Sequence, residues 1–196
     1  ALETGEKLTV EELLECILIA SDNRACNVAA EYVSDSIEEF VALMNRRALE
    51  LGCTGTHFAN AHGLHSEDHY TTASDMARIG LAAMQNDKLM SVADTDKVTV
   101  GATNLTEKER KLITTNHLIS RIQDTRYYDG RFRGIKTGHT TPAGYCLVST
   151  AKSGGMTLLS VVMGAAKDEE NNLVGSFVET KKLVSWGFDS FKRMDL

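Results

Sequence analysis

"GYCLVSTAKSGGMTLLSVVMGA", Gly144 to Ala165, decides the fold. Two apolar runs rich in Val, Leu and Thr flank "KSGG", and short apolar segments bounded by a glycine turn read as the two strands of a core hairpin. Just upstream, "KVTV" and "RKLITT" read as shorter strands, and the strand pattern begins only after Asp96. Downstream, "DEENNLVGSFVETKKLVSWGFDSF" reads as one long helix, with Asp168, Glu169 and Glu170 complementing the dipole at its start.

Most of the chain before Asp96 is helical in period. Thr9 with Glu12 forms a capping box ahead of Leu13, Leu14, Ile17 and Leu18, which predicts a helix ending near Ser21. "NRACNVAAEYV" continues as a second helix, apolar at Ala25, Val28, Ala29 and Val33. Ser36 and Glu39 cap a third, which Gly52 stops. A non-periodic stretch, "CTGTHFANAHGLHSEDHYT", precedes a fourth helix, "TASDMARIGLAAMQN", and a short helical piece near Leu89. Helices first, then an antiparallel sheet, then a covering helix make this an α+β chain, with helices packed on a sheet. It is expected to form a single domain over 1–196, its helical part about 9–95 and its sheet and final helix about 96–192.

Composition narrows the function. A net charge of −6 argues against a nucleic-acid partner, which would need clustered Lys and Arg. No apolar run approaches the roughly 18–20 residues of a membrane span. Cys16, Cys26, Cys53 and Cys146 show no metal-like spacing with histidine and read as buried free thiols rather than a disulfide framework. His62 and His65 read as structural or solvent-facing, a metal or substrate role being the alternative.

Two polar clusters interrupt the apolar pattern. "SDN", Ser21-Asp22-Asn23, sits at a break between two helices, where Ser21 by itself would be an ordinary N-cap. "KTG", Lys136-Thr137-Gly138, opens a strand where a turn would be the default reading. Together and in this order they are far more specific: S-x-x-K with S-D-N and K-T-G is the signature of penicillin-binding proteins and class A β-lactamases. Acyl transfer by a serine needs a nearby base, a cation to hold a carboxylate and donors aimed at the developing oxyanion.

On these motifs the chain resembles the low-molecular-mass penicillin-binding proteins, the serine D-alanyl-D-alanine carboxypeptidases. The resemblance runs from about Thr9 to Phe191 and includes "FVALMNRRALELGCTGTHFANAHGL", "TTASDMARIG", "TTNHLI" and "KKLVSWGF". It implies a β-lactamase/transpeptidase-like fold and removal of the terminal D-alanine from peptidoglycan stem peptides through a serine acyl-enzyme. In catalysis Ser21 would relay a proton toward the leaving nitrogen, Asn23 would hold the substrate's peptide carbonyl, and Lys136 would supply positive potential beside Ser21. In substrate binding Thr137 would take the terminal carboxylate, Gly138 would admit the substrate backbone, and the His139 backbone N–H would form half the oxyanion hole, with Thr140 beside them. The resemblance implies no metal and no cofactor. Its partners would be a pentapeptide ending in D-Ala-D-Ala and β-lactam antibiotics, at the outer face of the bacterial cytoplasmic membrane, in the periplasm or cell wall. A smaller β-rich domain and an amphipathic membrane anchor would follow residue 196.

Two departures stand out. The one S-x-x-K match is Ser149 to Lys152 in "STAK", on a strand, where residues three apart point to opposite faces. The nucleophile is therefore expected outside these residues, and the isolated chain is expected to be inactive. The second departure is Ser176, which falls where the family often carries an arginine for the substrate carboxylate; Lys167 is the candidate stand-in. The alternatives are a serine β-lactamase, disfavoured because no Glu-x-x-x-Asn lies between the motifs, and a non-catalytic penicillin-binding-like module. Without the family's nucleophile helix and the strand structure beside it, apolar surface and at least one strand edge are expected to lie uncovered.

Overall fold

The computed structural model describes residues 2–192. Five helices come first: α1 (Val10–Leu18), α2 (Asn23–Val33), α3 (Ile37–Glu50), α4 (Ala73–Ala83) and α5 (Asp87–Ala93). The capping box at α1 forms in full. The Thr9 hydroxyl accepts from Glu12 N–H at 3.2 Å, and the Glu12 carboxylate accepts from Thr9 N–H at 2.7 Å. Ser36 accepts from Glu39 N–H at 3.1 Å to start α3, and Gly52, at φ +77°, turns the chain after it.

Strands β1 (Lys97–Val100) and β2 (Arg110–Ile113) pair antiparallel by themselves. The main sheet has three antiparallel strands in the order β3 (Phe132–Thr140), β4 (Gly144–Ser153) and β5 (Met156–Ala165). Ser153 pairs with Met156 around Gly154 and Gly155, both at positive φ, the backbone that a two-residue hairpin turn requires. The sheet is mixed with helices as expected for an α+β chain. β3 forms one edge and β5 the other, and β5 has no further strand partner among the described residues.

Alternation along β5 shows how the layers stack. Leu158 meets helix α6 (Gly175–Ser190) at Gly187, where an added Cβ would come within 2.7 Å of its Cδ1. Leu159, one residue on, meets α4 at Gly80 on the opposite face. Two separate cores result. Leu13, Cys16, Ile19, Ala25, Val92, Val100 and Leu112 close the helical part around α1. Phe132, Leu147, Ala151, Phe177 and Val184 close the sheet against α6. No helix among the described residues is long and apolar enough to cross a membrane.

Three expectations need correction. Residues 168–174 are not helical: β6 (Lys167–Asp168) and β7 (Leu173–Val174) form a small antiparallel hairpin, and α6 begins at Gly175. The Asp168 carboxylate accepts from Glu170 N–H and Asn171 N–H, and Asn172 adopts φ +52°; this local turn captures the acidic residues that would otherwise have served a helix start. "KTG" lies within β3, which starts four residues before Lys136 at Phe132, rather than opening the strand. All four cysteines are free, but only Cys16 and Cys53 are buried; Cys26 and Cys146 are half-buried.

Candidate active site

The turn between α1 and α2 is shaped by Asp22, not by Ser21. The Asp22 carboxylate accepts from Arg24 N–H at 2.8 Å and from Ala25 N–H at 3.1 Å, so aspartate is the N-cap of α2. Ser21 is thereby released from capping and sits at φ +58°, left-handed backbone that costs a non-glycine residue about 1–2 kcal/mol. Its exposed hydroxyl is turned toward the sheet edge, where Lys136 donates to it from Nζ at 2.8 Å.

Lys136 and Thr137 leave β3 on opposite faces. Lys136 pairs in register with Val148, whose side chain abuts Gly80 of α4; Thr137 pairs with Leu147 of the α6-side core. Lys136 also donates to the Thr137 carbonyl at 2.8 Å. Burial pushes its pKa down to about 8, with nearby Cys26 acting weakly in the other direction. An ammonium with so little of its hydration is a strong partner for an incoming carboxylate. On the other face, the hydroxyls of Thr137 and Thr115 lie 2.6 Å apart.

Two cavities flank this edge. The first, about 350 Å³, is lined by Ser21, Thr115, His117, Thr137, Gly138 and Phe177, among others. The second, about 230 Å³, is more apolar and lies over Lys136, Gly138, Thr140, Cys146, Val148 and Met163. His139 borders both, its ring 4.1 Å from that of Tyr145. An added Cβ at Gly138 would come no nearer than 3.9 Å to Cys146, so the chain itself would tolerate a side chain there and the open space is free for a ligand. The Thr140 hydroxyl accepts from Ala143 N–H at 3.2 Å, which shapes the β3–β4 turn.

Ser21, Lys136, Thr137, Gly138, His139 and Thr140 thus gather at one end of β3. Asn23 is exposed in the first turn of α2 and lines neither of these two cavities. Ser149 is fully buried, its hydroxyl donating to the Gly134 carbonyl at 2.6 Å, and offers nothing to a substrate. Lys167 is engaged with Glu169 at 3.0 Å and lies outside both cavities, whereas Ser176 lines the first. His62 accepts from Leu64 N–H at Nδ1, a local loop contact. The sequence singled out neither Thr115 nor His117, although both fall in "TTNHLI". The His117 ring stacks on Phe177 at 5.1 Å, and its Nε2 lies 2.9 Å from Gln123 Oε1.

The peptidase S11 family, described as D-alanyl-D-alanine carboxypeptidase, matches residues 1–167. The chain belongs to this family. It is 37% identical over 191 residues to the D-alanyl-D-alanine carboxypeptidase DacF of Bacillus subtilis, covering 97% of this chain and 46% of that protein. Among solved structures, the Streptomyces K15 DD-transpeptidase superposes with a TM-score of 0.84 at 28% identity, covering 96% of this chain and 71% of that one. Penicillin-binding protein D2 of Listeria monocytogenes, solved in its cefotaxime-bound form, superposes with a TM-score of 0.74 at 28% identity, covering 92% and 67%. The fold is that of these peptidases. The chain spans about half the length of the curated relatives it matches.

Proposed function

We propose that these residues form the substrate-binding wall and part of the catalytic machinery of a serine D-alanyl-D-alanine carboxypeptidase acting on peptidoglycan outside the cytoplasm. The observation that carries this reading is the 2.8 Å contact between Lys136 Nζ and Ser21 Oγ at the mouth of a cavity. A lysine that keeps its charge near neutrality, but is largely stripped of water, holds Ser21 as an acceptor and leaves the serine proton free to point into the cavity. Ser21 is then the relay to the leaving D-alanine nitrogen. Thr137, with the potential of Lys136 behind it, takes the terminal carboxylate. Gly138 lets the peptide backbone lie along the strand edge, and the His139 N–H and Thr140 complete the cradle. Asn23 would reach a substrate carbonyl that approaches from the α2 side. The acylated serine, with its own lysine, comes from outside these 196 residues, because the one S-x-x-K present buries its serine. β-Lactams, which mimic the D-Ala-D-Ala terminus, would occupy the same cradle; the Listeria protein was solved in its cefotaxime-bound form.

Labelling with a fluorescent penicillin tests this. The full-length protein is expected to give a covalent band and to release D-alanine from a peptide ending in D-Ala-D-Ala. Lys136→Ala should slow both by about 100-fold or more, in line with the loss of an electrostatic catalytic group. The 196-residue chain should give no band. Labelling at Ser149, or full activity in Lys136→Ala, would overturn the reading.

A further inference from the structure

The edge strand β3 is held from both faces, and both holds lead back to the same place. On one face Lys136 donates to Ser21, two residues beyond the C-cap of α1 at Ile19. On the other face the Thr137 hydroxyl meets the Thr115 hydroxyl at 2.6 Å. Thr115 in turn donates its backbone N–H to the carbonyl of Ile19 at 3.2 Å. Ser21, Lys136, Thr137, Thr115 and Ile19 therefore close a ring that runs through three separate elements, and Thr115 is its least obvious member.

Of this run, only the Thr115 hydroxyl meets Thr137, and the neighbours of Thr115 show how it is held there. Thr114 is buried and accepts from Asn116 N–H, and Asn116 accepts from Leu118 N–H, so the backbone on either side is fixed by local bonds. Thr114 N–H is bonded to the Asp96 carbonyl. Thr115 and His117 of this run line the cavity shared with Ser21 and Thr137, and His117 is already stacked on Phe177 with its Nε2 beside Gln123.

We infer that Thr115 is a positioning residue for the substrate carboxylate: it donates its hydroxyl proton to Thr137, so that the Thr137 proton points into the cavity. Each hydroxyl carries one proton, so of two hydroxyls 2.6 Å apart one must accept from the other. An empty site can adopt either order. A carboxylate, which only accepts, demands the proton of Thr137, and Thr137 can give it while still satisfying Thr115 only if Thr115 is the donor. Donation from Thr115 also polarises the Thr137 O–H and strengthens its bond to an anion. Thr115 touches no reacting atom in this scheme. It acts through Thr137 and holds β3 at a fixed distance from the Ser21 turn. The inference rests on the reading of Thr137 as the carboxylate site.

The test uses the full-length protein, with diacetyl-L-lysyl-D-alanyl-D-alanine as substrate, in the variants Thr115→Val, Thr115→Ser, Thr137→Val and the Thr115/Thr137 double valine. Valine keeps the shape and removes the hydroxyl. Thr115→Val is expected to raise KM about tenfold, the scale of one hydrogen bond to a charged group, and to change kcat less than about threefold. Thr115→Ser should return KM to within about twofold of the parent. In the double variant the Thr115 change should add nothing to Thr137→Val, because the hydroxyl it orients is gone. Thermal melts of each variant separate folding loss from binding loss. An unchanged KM in Thr115→Val beside a raised KM in Thr137→Val would overturn the inference and leave the carboxylate reading standing. So would a serine variant as impaired as the valine, which would mark a packing role. An unchanged KM in Thr137→Val would overturn the carboxylate reading and this inference with it.

Discussion

The two faces of the main sheet are closed to different degrees. Under α6, apart from the cavity of about 350 Å³ at the Thr137 end, Phe132, Leu147, Ala151, Phe177 and Val184 are all buried, none more than 5% exposed. Under α4, Met163 is 39% exposed and an apolar cavity of about 230 Å³ lies beside Lys136, Cys146 and Val148. The same strands supply both faces, so propensity cannot account for the contrast. What differs is the cover. Sixteen residues of α6 lie along β4 and β5, while the eleven of α4 meet the sheet around Gly80, Val148 and Leu159. The sealed core under α6 carries stability, and the more open face leaves room for Lys136, on which the proposed chemistry depends.

That contrast can be tested by cutting side chains on each face. Phe132→Ala on the sealed face should cost about 3–5 kcal/mol, as buried Phe truncations do, whereas Met163→Ala should cost under about 1 kcal/mol. Urea unfolding of the two variants checks this, and equal losses would erase the distinction.

A smaller effect comes from pH at Lys136. With its pKa at about 8 in the folded chain against 10.5 ordinarily, the folded protein binds fewer protons than the unfolded one between those values. Stability from this group therefore rises with pH across that window, by roughly 3 kcal/mol at most. Affinity for a carboxylate ligand should move the opposite way and fall as pH passes about 8, since the neutral amine no longer attracts it. Lys136→Met should remove both slopes. A ligand affinity that held steady from pH 7 to 10 would mean that the charge of Lys136 does not assist binding.

The smallest expected contrast separates two glycines. Alanine at 187 would bring Cβ to 2.7 Å from Leu158 against the sealed face, and alanine at 80 would come to 3.1–3.2 Å from Leu159 and Val148 on the open one. Gly187→Ala should cost about 1–2 kcal/mol through overpacking. Gly80→Ala should stay within about 0.5 kcal/mol of the parent, because the looser face yields and alanine favours the helix. Thermal denaturation of the pair ranks them; the reverse order would show that α4 is the more rigid cover.

The sequence carried most of the helical part openly, because caps are local chemistry. Thr9 with Glu12 and Ser36 with Glu39 announce themselves three residues apart, and the paired glycines of "KSGG" do the same for the hairpin. The acidic run after Lys167 misled for a physical reason: Asp168 suits a helix start and an Asx turn equally well, and Asn171-Asn172 tipped it to the turn. At the site, Ser21 and Lys136 could be matched across 115 residues only because each stands in a short motif of its own. Thr115 has no such flag. Its meeting with Thr137 depends on a loop without periodicity, which the Thr114 and Asn116 side chains shape locally and backbone bonds to Asp96 and Ile19 place in the fold. Asn23 shows the converse, a motif member that the fold leaves apart from the cavities.

The left-handed backbone of Ser21 sets durability against use at a single residue. Glycine would occupy φ +58° without strain, so a screen that rewarded only thermal resistance would favour Ser21→Gly. The same exchange would delete the hydroxyl that Lys136 holds. A protein improved by that route would gain heat tolerance while losing the group on which its proton traffic is proposed to depend.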